Sequence, residues 1–318
     1  MRWISSASMP LAYVVVVAGA FQRPLSPGKR QFPSQRGQRL RHTLSMDAAE
    51  PVAAAAMAVD GSLLPSFVAC TSFPVMKGCE AAFEQRWLEA EERAPIASIK
   101  DFAGFIQFFL LKGQYDEVND ATEYVSMSVW RDREAFEAFP KSDYFKLRHA
   151  ADSSLPPSTH AAGPSVSIYE AVLYEPRAGM TIEQLKEGAF IATNRFAVAA
   201  GSQDAFETRW RTRDRNLPSF PAFRKFMLLR RVPLPPDMGV PSNSPHPACI
   251  QPDVTHISFT EWQSEAGFDE WRNSQSFAKT HSAAEDAQPK GPPKGPVSGE
   301  LRGPPKPTFF SVVLTEAN

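Results

Sequence analysis

The second half of the chain brings together a carboxamide, a large aromatic and an imidazole. Asn194 stands in the segment Thr193-Asn194-Arg195, and Trp271 and His281 stand ten residues apart in FDEWRNSQSFAKTH. A neutral imidazole is a good metal ligand, for haem iron among others. A carboxamide can donate a hydrogen bond to a bound oxygen while staying uncharged. An indole supplies a rigid apolar wall of large area. Each residue also has an ordinary structural use: Asn as a cap, Trp as core, His near a helix end. It is their joint occurrence that points to chemistry.

Internal repetition shows which elements must position them. Phe67 to Trp87 reads FVACTSFPVMKGCEAAFEQRW, and Phe190 to Trp210 reads FIATNRFAVAAGSQDAFETRW, with ten of 21 positions identical at an offset of 123. Trp130, Phe136, Phe145 and His149 are answered by Trp262, Phe268, Phe277 and His281 at an offset of 132. These matches imply a duplication. Each copy reads as strand, helix, strand, strand, helix, strand. Period-two stretches open the copies at Ser66 to Pro74 and Ala189 to Val198. Gly78 and Gly201 break the chain before amphipathic helices, and apolar runs follow at 105–111, 122–130, 223–229 and 255–262. Second helices begin near Asp132 and Ser264, with a break expected at Asn273 to Ser276. Closing strands are expected at 166–173 and 309–314. The order βαββαβ is the ferredoxin-like α+β motif. Two such modules can bury their free sheet faces against each other, sheet on sheet, within one chain.

The first copy has Thr71 where the second has Asn194, Phe139 for Trp271, and Ala90 for Arg213, while His149 answers His281. Core positions are thus kept and the special ones lost, as expected of a copy that became a structural partner. Trp130 and Trp262, present in both, are structural by the same logic.

A length of 318 residues with 43% hydrophobic and 22% charged residues suits two soluble globular domains, and a net charge of −1 gives no case for nucleic acid. Cys70, Cys79 and Cys249 are odd in number and lack metal-ligand spacing, so they read as incidental thiols. The first 45 residues contain no Asp or Glu but carry Arg2, Arg23, Lys29, Arg30, Arg36, Arg39 and Arg41. The apolar run Leu11 to Ala20 is too short to span a bilayer and has the length of a signal-peptide core. With the basic stretch after Phe21 it resembles a bipartite plastid presequence over residues 1–60. An ordinary secretory signal is the alternative, and no membrane segment is expected in the mature protein. Residues 232–253 and 286–308 each hold seven prolines and read as inserted loops, the kind that can serve as a lid beside a site.

Taken together, these residues resemble the antibiotic-biosynthesis-monooxygenase superfamily, and within it the IsdG-type haem-degrading monooxygenases. The likeness covers residues 66–175 and 189–316. It implies a dimeric α+β barrel, made here within one chain, so that a monomer is expected. It also implies that His281 ligates haem iron, that Asn194 bonds to the distal ligand, and that Trp271 presses on the porphyrin. Arg213 matches, less closely, an Arg near the haem propionates. Haem would be substrate and cofactor together, consumed with dioxygen and with electrons from an external reductase or reductant. A second haem on His149, a cofactor-free quinol or anthrone monooxygenase using the His as base, and a haem-binding protein without turnover stay open as alternatives. The cleavage position and the physiological reductant are not written in the sequence.

Overall fold

The computed structural model describes residues 65–93, 99–143, 145, 159–177, 179–180, 189–212, 217–235, 245–275, 277 and 298–317. The presequence over residues 1–60 lies outside them. So do His149, Arg213 and His281.

The first module runs β1 (Phe67–Met76), α1 (Glu80–Arg93), β2 (Phe105–Asp116), β3 (Ala121–Trp130), α2 (Arg133–Ala138) and β4 (Ser165–Pro176). The second repeats that order as β5 (Phe190–Phe196), α3 (Gln203–Thr212), β6 (Phe223–Val232), β7 (His256–Trp262), α4 (Glu265–Arg272) and β8 (Lys306–Ala317). Local chemistry sets the same boundaries in both. Gly78 and Gly201 take φ of +84° and +82°, a left-handed turn in which a side chain would be strained. The side chains of Asp132 and Ser264 accept hydrogen bonds from the Ala135 and Gly267 amides, capping α2 and α4 as the sequence predicts.

Eight antiparallel strands close a barrel in the order β1-β3-β2-β8-β5-β7-β6-β4, with β4 returning to β1. The fold is therefore the expected ferredoxin-like α+β class. The modules meet in a way the sheet-on-sheet picture lacks: their sheet edges hydrogen-bond into two seams, β2 with β8 and β4 with β6. Both seams carry a bulge at the same place, between Leu110 and Leu111 on β2, and opposite Leu228 and Leu229 on β6, between Ala171 and Leu173 of β4. An edge strand presents a row of unpaired backbone groups, and pairing each edge with the other module's leaves no edge open.

Strand alternation sends one set of side chains inward and the other beneath the helices. The interior holds Val68, Phe109, Leu111, Met127, Tyr169, Ile191, Met227, Phe259 and Phe310, drawn from both modules. The outer faces pack separately: Phe67, Phe105, Trp130 and Phe136 in one cluster, and Phe190, Phe223, Trp262 and Phe268 in its counterpart.

Two loops differ from the sequence expectation. Ile250 and Val254, from the proline-rich insertion between β6 and β7, join the interior cluster, and Arg231 donates to the Gln251 carbonyl at 2.8 Å. The described part of this loop therefore plugs the barrel instead of lying over the helix-covered face. In the second loop, β8 already starts at Lys306, inside the stretch read as a linker; Pro307 pairs with Asn194. A proline lacks only its own N–H donor, so it can stand at the start of a strand.

The loop before β2 and the helix α2 touch at Gly104 and Ala135, where a Cβ added to the glycine would come within 2.6 Å of Ala135 Cβ. In the second module the small residue has changed sides: a Cβ on Gly267 would lie 2.2 Å from Ala222 Cβ. Gly267→Ala is therefore expected to destabilise the protein by roughly 1–3 kcal/mol through overpacking. Adding Ala222→Gly should recover most of the loss, because it removes the methyl that the new Cβ would meet and leaves one glycine facing one alanine, as Gly104 faces Ala135. Chemical denaturation of the two variants checks this, and a neutral Gly267→Ala would contradict it.

Candidate functional site

On β5, Ile191 and Arg195 point into the barrel, while Phe190, Ala192, Asn194 and Phe196 face the helices. Asn194 is half-buried, opposite Ser258 on β7 and Pro307 on β8. Its carboxamide makes no hydrogen bond to a described residue, so both its donor and its acceptor are available. Trp271 lies in the last turn of α4, half-buried against the same apolar cluster. Its ring centroid stands 5.3 Å from Trp262, 5.8 Å from Phe268 and 4.8 Å from Phe277. The expected break follows at once. Asn273 caps α4, and Ser274 Oγ accepts from the Phe277 amide at 3.1 Å, with helical backbone again at Gln275 and Phe277.

Asn194 and Trp271 thus belong to one helix-covered face. His281 and Arg213, outside the described residues, cannot be set against them. The first module keeps the frame and changes the contents. Thr71 is buried where Asn194 is half-buried. Phe139 fills the slot of Trp271, 5.2 Å from Trp130 and 5.4 Å from Phe145. Part of the Trp271 environment is therefore ordinary aromatic packing. What distinguishes the second face is a larger ring with an N–H and a free amide.

One polar constellation escaped the sequence reading. Glu207 on α3, buried, is within 3.2 Å of His256 Nε2, 3.1 Å of Arg230 Nη1 and 3.0 Å of Arg211 Nη2. A carboxylate only accepts, so Nε2 of the buried His256 carries the proton in this contact. The first module has Glu84 in the same place, bonded to Tyr124 Oη at 2.5 Å and Lys112 Nζ at 2.8 Å. An open hollow of about 480 Å³ adjoins it, lined in part by Glu80, Lys112, Tyr115 and Thr122. The signal was present: Glu84 and Glu207 are among the identical positions of the repeat. Their partners were hidden because Tyr124 and His256, and Lys112 and Arg230, differ in type. Burial would raise the Glu207 carboxyl, but the His256 hydrogen bond and the Arg230 and Arg211 charges outweigh it and hold the group below its usual 4.5.

The comparisons with known proteins fit this frame. Residues 66–151, within the first module, match the family described as antibiotic biosynthesis monooxygenase; Asn194 and Trp271 lie beyond the matched span. No curated protein sequence matches the chain. A candidate monooxygenase from Fusobacterium nucleatum is similar in structure, with TM-score 0.53 and 11% identity over 81% of this chain and 96% of its own. An anthrone oxidase-like protein gives 0.46 and 16% over 79% and 93%. A haem-degrading enzyme from Listeria monocytogenes gives 0.33 and 8% over 77% and 98%. At such identities a likeness speaks for the fold alone, and of these three the first carries it.

Because Glu207 is held below its ordinary range when folded, its contribution to stability is full above about pH 4.5 and lost as pH falls through the lower folded value. Glu207→Gln should destabilise the protein at pH 7 by about 2 kcal/mol. The gap between parent and variant should close on acidification below about pH 4.5. Denaturation midpoints across that range check the sign, and a gap that widens in acid would contradict it.

Proposed function

We propose that the second module, residues 189–316, degrades haem by a monooxygenase reaction. The first module, residues 66–175, is in this reading its structural partner, the two having arisen by tandem duplication of an IsdG-type unit. The observation that carries this is the free Asn194 carboxamide on the helix-covered face that also holds the half-buried Trp271. That face suits a flat apolar macrocycle: its wall is aromatic, and the unengaged carboxamide of Asn194 can turn either its N–H or its carbonyl toward a ligand atom. Haem bound there is the substrate, and its iron supplies the oxygen chemistry. His281 would hold the iron and Arg213 a propionate. Asn194 would orient dioxygen by a hydrogen bond, and Trp271 would set the shape of the ring pressed against it. The protein's part is then position and shape. Electrons come from an external reductant or reductase, and the products are iron and an open, bilin-like tetrapyrrole. The working form is a monomer with no second haem on His149, delivered to a plastid by residues 1–60.

Neither Asn194 nor Trp271 holds the iron in this scheme, and Phe already fills the equivalent slot in the first module. Asn194→Ala and Trp271→Phe should therefore bind haem within a few-fold of the parent, yet lose at least about 10-fold in reductant-driven bleaching, on the order of 1.4 kcal/mol of barrier. His281→Ala should lose the Soret band of the complex. Absorption spectra taken with haem, dioxygen and an electron donor test all three. A parent whose haem spectrum survives for hours under these conditions is a haem carrier. A parent that oxidises a quinol without haem is a cofactor-free oxygenase.

A further inference from the structure

Two buried polar contacts cross from one module to the other inside the barrel. Arg195 Nη2 on β5 lies 2.6 Å from Glu123 Oε2 on β3, with the side chains 9% and 5% exposed. Lys225 on β6 donates to Gln107 Oε1 on β2 and lies 2.9 Å from Glu261, itself fully buried. The first contact has no two-fold mate, and the second joins two positions that are each other's counterparts but differ in residue type. Thr71 and Asn194 are equivalent, so Ser72 is the counterpart of Arg195. Trp130 and Trp262 each end a strand opposite the first residue of β1 or β5, which makes Thr255 the counterpart of Glu123. The bulges before Gln107 and Lys225 make those two counterparts of each other.

We propose that these buried charges make the two barrel-forming surfaces complementary to each other and mismatched to copies of themselves. The partner that each surface fits is the other module of the same chain. If second modules of two chains paired through the same seams, each Arg195 would face Thr255, with no carboxylate, and each Lys225, still beside Glu261 of its own module, would face a second Lys225 in place of Gln107. If first modules paired, each Glu123 would face Ser72. A buried charge left without its partner weakens an association by on the order of 10²–10³-fold. A buried ion pair is at the same time seldom more stabilising than well-packed apolar residues. Here Glu123 Oε1 and Arg195 Nε remain without partners even in the native barrel. The contact is thus poorly built for stability and well built for selection.

Space exists to move the charge. The Arg195 guanidinium lies 5.8 Å from the Phe310 ring centroid. Phe310 pairs with Ile191 as Tyr169 pairs with Val68, so a guanidinium introduced at Ser72 would meet the Tyr169 ring in the same way.

The test uses the full chain with Ser72→Arg and Arg195→Ser together, which relocates one guanidinium from the second module to the first. Within the chain it then faces Thr255 across the barrel, with Glu123 only diagonal to it on the neighbouring strand of its own sheet, and it stands opposite Glu123 when the first modules of two chains pair. Sedimentation velocity at about 1–100 μM should show a monomeric parent and a dimeric relocated variant, an association tightened by at least about 100-fold. Adding Glu123→Thr should dissolve that dimer. Arg195→Ser with Glu123→Thr removes the pair whole and should stay a folded monomer, showing that the substitution at Arg195 is itself tolerated. The proposal is overturned by a relocated variant that stays monomeric or loses its fold without dimerising, by a dimer that survives Glu123→Thr, or by a parent that is itself a stable dimer.

Discussion

Everything else in this protein depends on the closure of sheet edges. A ferredoxin-like module leaves the outer strands of its sheet with open backbone donors and acceptors. It also leaves one sheet face bare after its helices cover the other. The seams between β2 and β8 and between β4 and β6 remove both problems at once. Backbone hydrogen bonds run round the barrel, and the bare faces become a shared interior in which Val68 and Tyr169 of one module meet Ile191 and Phe310 of the other. Neither half has that interior alone, and the plug formed by Ile250 and Val254 belongs to it as well. The helix-covered faces, by contrast, are each built mainly from one module, with only a few side chains reaching in across the seams, Val172 and Leu173 in one and Val232 and Leu234 in the other. That separation lets one face change its chemistry while the barrel stays the same.

The two faces show what such freedom allows. In each, a Trp at the end of a strand is fully buried, with a Phe of the following helix packed on it. Against this fixed frame, Phe139 is answered by Trp271 and Thr71 by Asn194. The polar cluster beneath the first helix varies in the same manner: a carboxylate is retained at Glu84 and Glu207, while its partners change from tyrosine and lysine to histidine and arginine. The carboxylate ties helix to sheet in both modules, which explains why it is kept. The second face keeps an unengaged amide at Asn194, where the first has the buried Thr71.

Much of this was legible in the chain itself, because the signals were local or repeated. Strand alternation, the two left-handed glycines and the caps at Asp132 and Ser264 are fixed by residues within a few positions of one another. The repeat supplied the rest of the topology by comparison of the chain with itself. The seams were not legible, since edge pairing between β2 and β8 joins residues some two hundred positions apart and leaves no periodic trace. Composition misled at Lys306 and Pro307, where a proline-rich tail turns into strand once a neighbour, β5, is present to pair with. The buried charges at Arg195, Glu123 and Lys225 left no pairing signal in sequence, because the acidic and basic partners lie on different strands. For the candidate site, Asn194 and Trp271 could be chosen only by contrast with Thr71 and Phe139. The structure adds that they share a face and that the amide is unengaged.

The central claim, one haem-degrading face on a barrel closed within a single chain, is tested most directly by the stoichiometry of haem binding. A titration of the purified chain with haem, followed at the Soret band, should reach its end point at one haem per chain. An end point at two would show that the first module also holds haem, through His149, and would contradict its role as structural partner. A chain that takes up no haem at all would contradict the assignment itself.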